Sequence, residues 1–378
     1  MQGPRSAKPD ELPLVIQLVN EVFMEGLDRP HVLGDFFPTL FNKDNLENLR
    51  IIVDRDKPVS HVGIWEGDLL IYGSWFKVGM IGCVCTHKKY RGRGYATALM
   101  KDAFSKMERD GVDIVFVTGF RNLYRRLNCV EAGRVYNYQI SPGKICSKEE
   151  KLRIVPYTED NIQDLIDIYQ REPVRYRRTF EEFKLLVERG LNCQDIFLKT
   201  FIATEEDEPI AYISIGQIPD EDEIRVFEYA GSAKSVLYLL ENSFRFTRIK
   251  SVELTVPFQD RELLCLLEKY GYKKPPSEAQ VSTVIINPES FLKKVTPYLE
   301  ERAGKQGSFR IVSAENGKVR LKTKKGETEL DLGEFTLLFF GTPENLKDES
   351  QQKVEPARNL SLSNVLPLPT PIYGLNYV

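Results

Sequence analysis

One stretch constrains the fold of this chain more than any other: Gly82 to Met100, GCVCTHKKYRGRGYATALM. The apolar run Met80 to Cys85 enters a glycine-rich basic loop. That loop opens a helix whose Ala96, Leu99, Met100, Ala103, Phe104 and Met107 recur at helical spacing. Asp110 and Gly111 stop the helix, and Val112 to Val117 follows as a buried strand. Strand, tight loop, helix and strand in this order predict an α/β arrangement. The loop is an anion site by construction. Gly92 and Gly94 permit close backbone approach and unusual φ, and the free N–H groups at the helix start face an anion with the helix dipole behind them. Arg91 and Arg93 add charge-assisted contacts of the kind phosphates accept.

Neither the GxxxxGK[ST] nucleotide loop nor the GxGxxG dinucleotide fingerprint is present. A chain of 378 residues calls for two or three domains, and 42% hydrophobic with 28% charged residues is an ordinary globular balance. Fifty-two Lys and Arg against 55 Asp and Glu give a net charge of −3, which argues against a general nucleic-acid binder. No run approaches the roughly 18 apolar residues of a membrane span, and Met1 to Asp10 lacks an apolar signal core. The expectation is a cytoplasmic protein. Cys83, Cys85, Cys129, Cys146, Cys193 and Cys265 are scattered without a CxxC pair, as in reduced cytosolic proteins. The only histidines are His31, His61 and His87, so no metal site is expected. On a regular strand Cys83 and Cys85 face the same side, and they read as packing residues.

Around the loop, Asp10 is the expected cap of a helix carrying Leu14, Leu18, Val22 and Phe23. Ile51 to Asp54 and Ser60 to Glu66 read as strands about a Lys57–Pro58 turn, residues 121 to 127 as a short helix, and Gly133 to Ile140 as a strand. Ser141 to Gly143 and the charged run Lys148 to Lys151 read as a linker. The rhythm then recurs. A strand at Val226 to Tyr229, Gly231 and a helix from Ala233 to Phe244 echo residues 80 to 107; Val252 to Val256 and Leu263 to Tyr272 echo residues 112 to 129. The loop at Gly231 has no arginine and no second glycine, so one anion site per chain is expected, in the first half. A meander follows at Phe309 to Ser313, Lys318 to Thr323 and Thr328 to Asp331, then an apolar element at Phe335 to Phe340. The chain ends in an apolar tail, Leu366 to Val378, of the kind that docks.

Arg91-x-x-Gly94-x-Ala96 after an apolar strand resembles the pyrophosphate loop of the GCN5-related N-acetyltransferases (GNAT). The resemblance implies an acetyl-CoA site formed by Cys83, Val84, Cys85, Arg91, Gly92, Arg93, Gly94, Tyr95 and Ala96, with acetyl-CoA as cosubstrate and no metal. In that family a following helix commonly carries Tyr-x-x-x-Gly-Phe, whose tyrosine protonates the leaving thiolate. Tyr124 matches it, with Asn128 in place of the glycine and Cys129 in place of the aromatic. Two such units, a small αβ domain and an apolar tail resemble the Eis-like (enhanced intracellular survival) acetyltransferases over essentially the whole chain. The implied architecture is α/β (α+β): two tandem GNAT domains with mixed central sheets, residues 1–145 catalytic and 146–290 degenerate, then residues 291–378 as a sterol-carrier-protein-like domain. The family's last residue supplies its α-carboxylate as general base, here Val378. Acceptors would be small-molecule or peptide amines, and relatives form homo-oligomers. Trp65, Trp75, Phe36 and Phe37 could line the acceptor pocket or the core, and Glu25, Asp28 and Asp35 could attract a cationic amine or be solvated acids. Other readings are a CoA sensor, a lipid carrier acting through the third domain, and transfer of a longer acyl chain as in N-myristoyltransferases.

Overall fold

The computed structural model of the chain describes residues 1–24, 33–145, 152–188, 198–217, 224–247, 250–304, 309–323, 326–342, 353–354, 358, 362, 365–372 and 374–377. Two compact units emerge: residues 1–133 with 279–372, and residues 134–278 with 373–377. The architecture is mixed α/β, with mixed sheets, helices and a separate small antiparallel sheet.

The first unit runs β1 (Gln2–Ser6), α1 (Leu12–Phe23), α2 (Leu33–Phe36), β2 (Leu49–Asp54), β3 (Lys57–Ile71), β4 (Ser74–Thr86), α3 (Tyr95–Arg109), β5 (Ile114–Val117) and α4 (Asn122–Arg125). β1 to β4 pair antiparallel in chain order, and β4 pairs β5 parallel. Parallel pairing needs a crossover, and α3 supplies it. Its Leu99, Met100, Ala103 and Met107 pack on Val62, Ile64, Ile81, Val115 and Val117. The β2–β3 turn falls at Arg55 and Asp56, φ 47° and 63°, two residues before the Lys57–Pro58 turn expected from sequence. Two left-handed residues match the twist of a two-residue hairpin. Pro58 therefore lies inside β3. Asp10 does not cap α1 either. It sits in a 3-10 turn over Pro9–Glu11, and α1 starts from Glu11. That carboxylate accepts from the Lys8 N–H at 2.8 Å and from Arg5 at 2.6 and 2.7 Å, which holds the turn shut.

The second unit contains most of β6 (Val130–Ile140), then β7 (Leu152–Pro156), α5 (Ile162–Gln170), β8 (Val174–Tyr176), α6 (Phe180–Glu188), β9 (Leu198–Glu205), β10 (Glu208–Gln217), β11 (Ile224–Gly231), α7 (Ala233–Thr247), β12 (Val252–Pro257) and α8 (Arg261–Lys269). Its strand order β7-β9-β10-β11-β12 repeats that of β1 to β5, including a parallel pair before the sixth place. The sixth places are exchanged. β6 follows β5 in the chain but pairs β12, while β13 (Glu278–Ile285) follows β12 and pairs β5. This exchange lies behind the interleaved residue ranges of the two units.

The rest of the first unit comprises α9 (Pro288–Ala303), β14 (Arg310–Glu315), β15 (Lys318–Thr323), β16 (Gly326–Asp331) and α10 (Leu332–Phe340). The apolar element expected at Phe335 to Phe340 is this last helix. Asp331 caps it, accepting from Glu334 N–H at 2.8 Å. Phe291 of α9 stacks on Phe76 of β4 at 5.1 Å and meets Phe339 edge-on at 4.9 Å, so the small sheet's helices close over the end of β4 remote from the loop.

Candidate active site

β4 carries one residue more than its partner where the acetyl-CoA contacts are expected. His61 pairs Cys85 and Gly63 pairs Gly82, so Cys83 and Val84 face the single residue Val62. The bulge puts Cys83 at φ +51°, and the His61 Nδ1–H donates to the Cys83 carbonyl at 2.9 Å. Pairing with β5 stops at Ile81 and Val117, whereas β4 continues to Thr86. The two parallel strands thus part at Gly82, leaving a sheet edge to which an extended polar arm could add as a strand. The bulge also breaks the alternation from which Cys83 and Cys85 were expected to face one side.

The chain leaves β4 through a 3-10 turn at Lys88–Tyr90 and reaches α3 through Gly92 at φ +78° and Gly94 at φ +79°. Among the described residues, a Cβ at either glycine would meet no atom within 4 Å, so they leave the space above it open. Gly94 is the N-cap of α3 and has no side chain to cap with, and no acidic residue lies in the first turn. The first-turn N–H groups, Tyr95 and Ala96 among them, are left for a ligand. Arg91 is exposed, its Nε donating to the Thr86 carbonyl at 3.2 Å, and Arg93 lies over the Tyr90 ring at 5.1 Å. Tyr90 is held in turn by Asp54 at 2.8 Å. The donor set, two guanidiniums and a helix start behind left-handed glycines, fits a pyrophosphate.

Tyr124 is 3% exposed on α4, packed in the same cluster as Val84, Leu99 and Cys129. Burial raises its pKa, so the phenol holds its proton at neutral pH. The helix ends on Asn128 at φ +62°, with Cys129 N–H donating to the Tyr124 carbonyl at 3.2 Å and Asn128 N–H to Arg125 at 3.1 Å. That is a Schellman ending. Asn128 thus takes the left-handed position that the family pattern gives to glycine.

Burial pushes the thiols of Cys85 and Cys129 up to about 12, and raises that of Cys83 further, which leaves all three protonated and unsuited to attack. Phe36, Phe37 and Trp65 are buried, Trp75 is half-buried and Asp35 is exposed. Glu25, Asp28, His31, Cys146, Cys193 and Val378 lie outside the described residues. Sequence reasoning missed His61, which is fully buried with no partner at Nε2 among the described residues. Burial lowers its pKa to about 4, so the ring is neutral.

The second unit differs at the loop and at the place of the tyrosine. Only Ser232 separates β11 from α7, where the eight residues His87 to Gly94 separate β4 from α3. Its α8 ends in the same Schellman bonds, Tyr272 N–H to Leu267 at 3.0 Å and Gly271 N–H to Glu268 at 2.9 Å, with Gly271 at φ +80°. This register sets Leu267 in the place of Tyr124.

Residues 4–132 match the acetyltransferase (GNAT) domain family. The chain carries a GNAT acetyltransferase domain and is an acyltransferase enzyme. No curated protein matches the sequence. Among solved structures, a conserved protein of unknown function from Enterococcus faecalis, described as a probable N-acyltransferase, is similar at TM-score 0.66 and 15% identity, covering 94% of this chain and 96% of that one. Eis1 from Mycobacterium abscessus is similar at TM-score 0.63 and 12% identity, covering 98% and 97%. Saccharomyces cerevisiae N-myristoyltransferase with bound myristoyl-CoA reaches TM-score 0.50 at 13% identity, covering 75% and 79%. At these identities the likeness is one of fold.

Proposed function

We propose that the enzyme is an acetyl-CoA-dependent N-acetyltransferase that moves acetyl to a primary amine by direct attack in a ternary complex. The observation that carries this reading is the path of β4 through the Cys83 bulge into the Gly92–Gly94 loop and the open start of α3. Backbone groups of Cys83, Val84 and Cys85 pair with the pantetheine arm, while Arg91, Gly92, Arg93, Gly94, Tyr95 and Ala96 hold the pyrophosphate. The amine nitrogen attacks the thioester carbonyl. A C–N bond forms, and an N–H in Cys83 to Cys85 steadies the oxyanion. Collapse breaks the C–S bond, and Tyr124 gives its proton to the departing thiolate. The α-carboxylate of Val378 takes the proton the amine loses. An ordinary α-carboxyl titrates at roughly 3.3 to 3.7, so this role needs an environment that raises it.

The same reading takes residues 1–145 as the catalytic GNAT domain, residues 146–290 as a degenerate one and residues 291–378 as a sterol-carrier-like domain, in an Eis-like, cytoplasmic homo-oligomer. Acceptors are small-molecule or peptide amines. Likeness to a protein holding myristoyl-CoA supports a second reading, transfer of a longer acyl group. Thiol release from acetyl-, octanoyl- and myristoyl-CoA with a panel of primary amines decides between them. Amine-dependent release from acetyl-CoA is expected. Faster release from the long-chain thioesters selects the second reading, and CoA binding without release under any pair makes the protein a sensor.

A further inference from the structure

The second unit keeps the frame of the first and has refilled the places the first unit uses. At the end of β11, two residues before α7, the Gly231 N–H donates to the Glu172 carboxylate at 2.7 Å, so an internal acid occupies the approach to the helix. Gly231 sits at φ +94° with its missing Cβ only 2.1 Å from the Ile210 carbonyl, which leaves no open space above it. Leu267 replaces the tyrosine. The face between α5, α6 and strands β9 to β11 is filled by the chain's own end: Leu375 is fully buried there with Leu165, Phe183, Ile202 and Tyr212.

An ion pair holds that end. Arg178 donates through both terminal nitrogens to both oxygens of Glu228, at 2.9 and 2.6 Å, and both side chains are buried. Its guanidinium lies over the Tyr169 ring at 4.1 Å and the Phe183 ring at 5.0 Å. Tyr212 donates to Oε1 of Glu228 at 2.7 Å. Two further bonds run to the tail. The Leu375 N–H donates to Oε2 of Glu228 at 2.9 Å, and Arg178 Nε donates to the Asn376 side-chain carbonyl at 2.7 Å. Burying two charges is costly unless every donor and acceptor is met. Here the tail supplies an acceptor for Arg178 Nε and a further donor to Glu228. Gly374, at φ +93°, has room for no Cβ, because one would lie 2.6 Å from Glu228 Oε2. The site therefore recognises glycine, a backbone N–H, an apolar side chain and an amide in sequence.

We propose that the second unit has become a clamp for the chain's own C-terminal tail, with Arg178 and Glu228 as positioning residues that hold Gly374 to Asn376 and so fix the terminal carboxylate. Two residues link Asn376 to the terminus, a reach of about 7 Å when extended. The positioning role rests on the reading of Val378 as the base.

Two measurements separate the proposals. Timed carboxypeptidase digestion of the full chain, followed by mass spectrometry, reads the clamp without reference to catalysis. Wild type should stall once Val378 and Tyr377 are removed. Gly374→Ala, which drives a methyl at Glu228, and Asn376→Ala, which removes one bond only, should be trimmed past Leu375 at least tenfold faster. Trimming at the wild-type rate in both folded variants overturns the clamp. Steady-state kinetics then read positioning: kcat should fall at least tenfold in both variants with KM for acetyl-CoA unchanged. Faster trimming with kcat unchanged overturns the positioning role. A chain with glycines appended after Val378 leaves the clamp residues intact and reads the base alone. If that extension costs no activity, the base reading fails while the digestion result still decides the clamp.

Discussion

The imidazole of His61 donates from Nδ1 to the carbonyl of Cys83 at 2.9 Å, across the point where β4 takes its extra residue. A carbonyl only accepts, so the tautomer is settled: Nδ1 carries the hydrogen and Nε2 does not. Protonating Nε2 would set a charge in a fully buried place with no acceptor among the described residues. That is why the pKa falls from 6.5 to about 4. Between those values the unfolded chain binds a proton that the folded chain does not, so stability is lost as pH falls. The shift corresponds to about 3 kcal/mol at most. Urea unfolding of wild type and His61→Gln at pH 7 and pH 4.5 checks it. The stability difference between the two proteins should shift in the variant's favour at the lower pH. An unchanged difference would mean that His61 does not titrate as an isolated buried base.

At the loop, Gly94→Ala meets no atom of the described residues, so the fold should survive with a cost of about 1 kcal/mol from the left-handed φ. CoA affinity should fall, because the methyl points into the open space above the helix start. Arg91→Ala removes a charge-assisted donor and should weaken CoA binding about 10- to 100-fold. Calorimetry on the two variants reads both effects. It should also return one CoA per wild-type chain, since the second unit's loop is missing and Glu172 occupies the approach to its helix.

Much of this site is local, and so was legible. α3 announces itself through Leu99, Met100, Ala103 and Met107, and the paired glycines before it mark the anion loop. The apolar run of α10 was visible as an element, though not as a helix. What escaped depends on residues distant in the chain. The Cys83 bulge exists only in register with β3, so nothing within Gly82 to Thr86 announces it. Arg178 and Glu228 are an ordinary basic and an ordinary acidic residue until the fold buries them against a tail 198 and 147 residues away. The exchange of β6 and β13 leaves no trace in periodicity, because each strand is apolar in the same way wherever it pairs.

Tyr124→Phe keeps the buried ring and removes the proton it would give to the thiolate. kcat should fall about 10²- to 10⁴-fold, the usual contribution of a general acid. KM for acetyl-CoA should hold. Because burial raises the tyrosine pKa, the acid should remain protonated beyond the ordinary tyrosine range, and the alkaline limb of the wild-type kcat profile should lie above that range. A Phe variant that keeps most of the wild-type kcat would leave Tyr124 as a packing residue.

Asn128 gives the last test, because it separates backbone from side chain. It is exposed, stands at φ +62°, and ends the helix that carries Tyr124, whose carbonyl receives the Cys129 N–H at 3.2 Å. Gly271 does the same work at the end of α8. Asparagine tolerates the left-handed region through its short polar side chain, and glycine enters it freely, so Asn128→Gly should leave stability within about 0.5 kcal/mol and activity intact. Valine cannot relax there. Asn128→Val should cost about 1 to 2 kcal/mol or more, and by loosening the turn that holds the Tyr124 carbonyl it should lower kcat while KM for acetyl-CoA stays near wild type. Thermal melts and steady-state kinetics on the pair check this. A valine variant as stable and active as wild type would show that the left-handed ending of α4 is not what places the tyrosine.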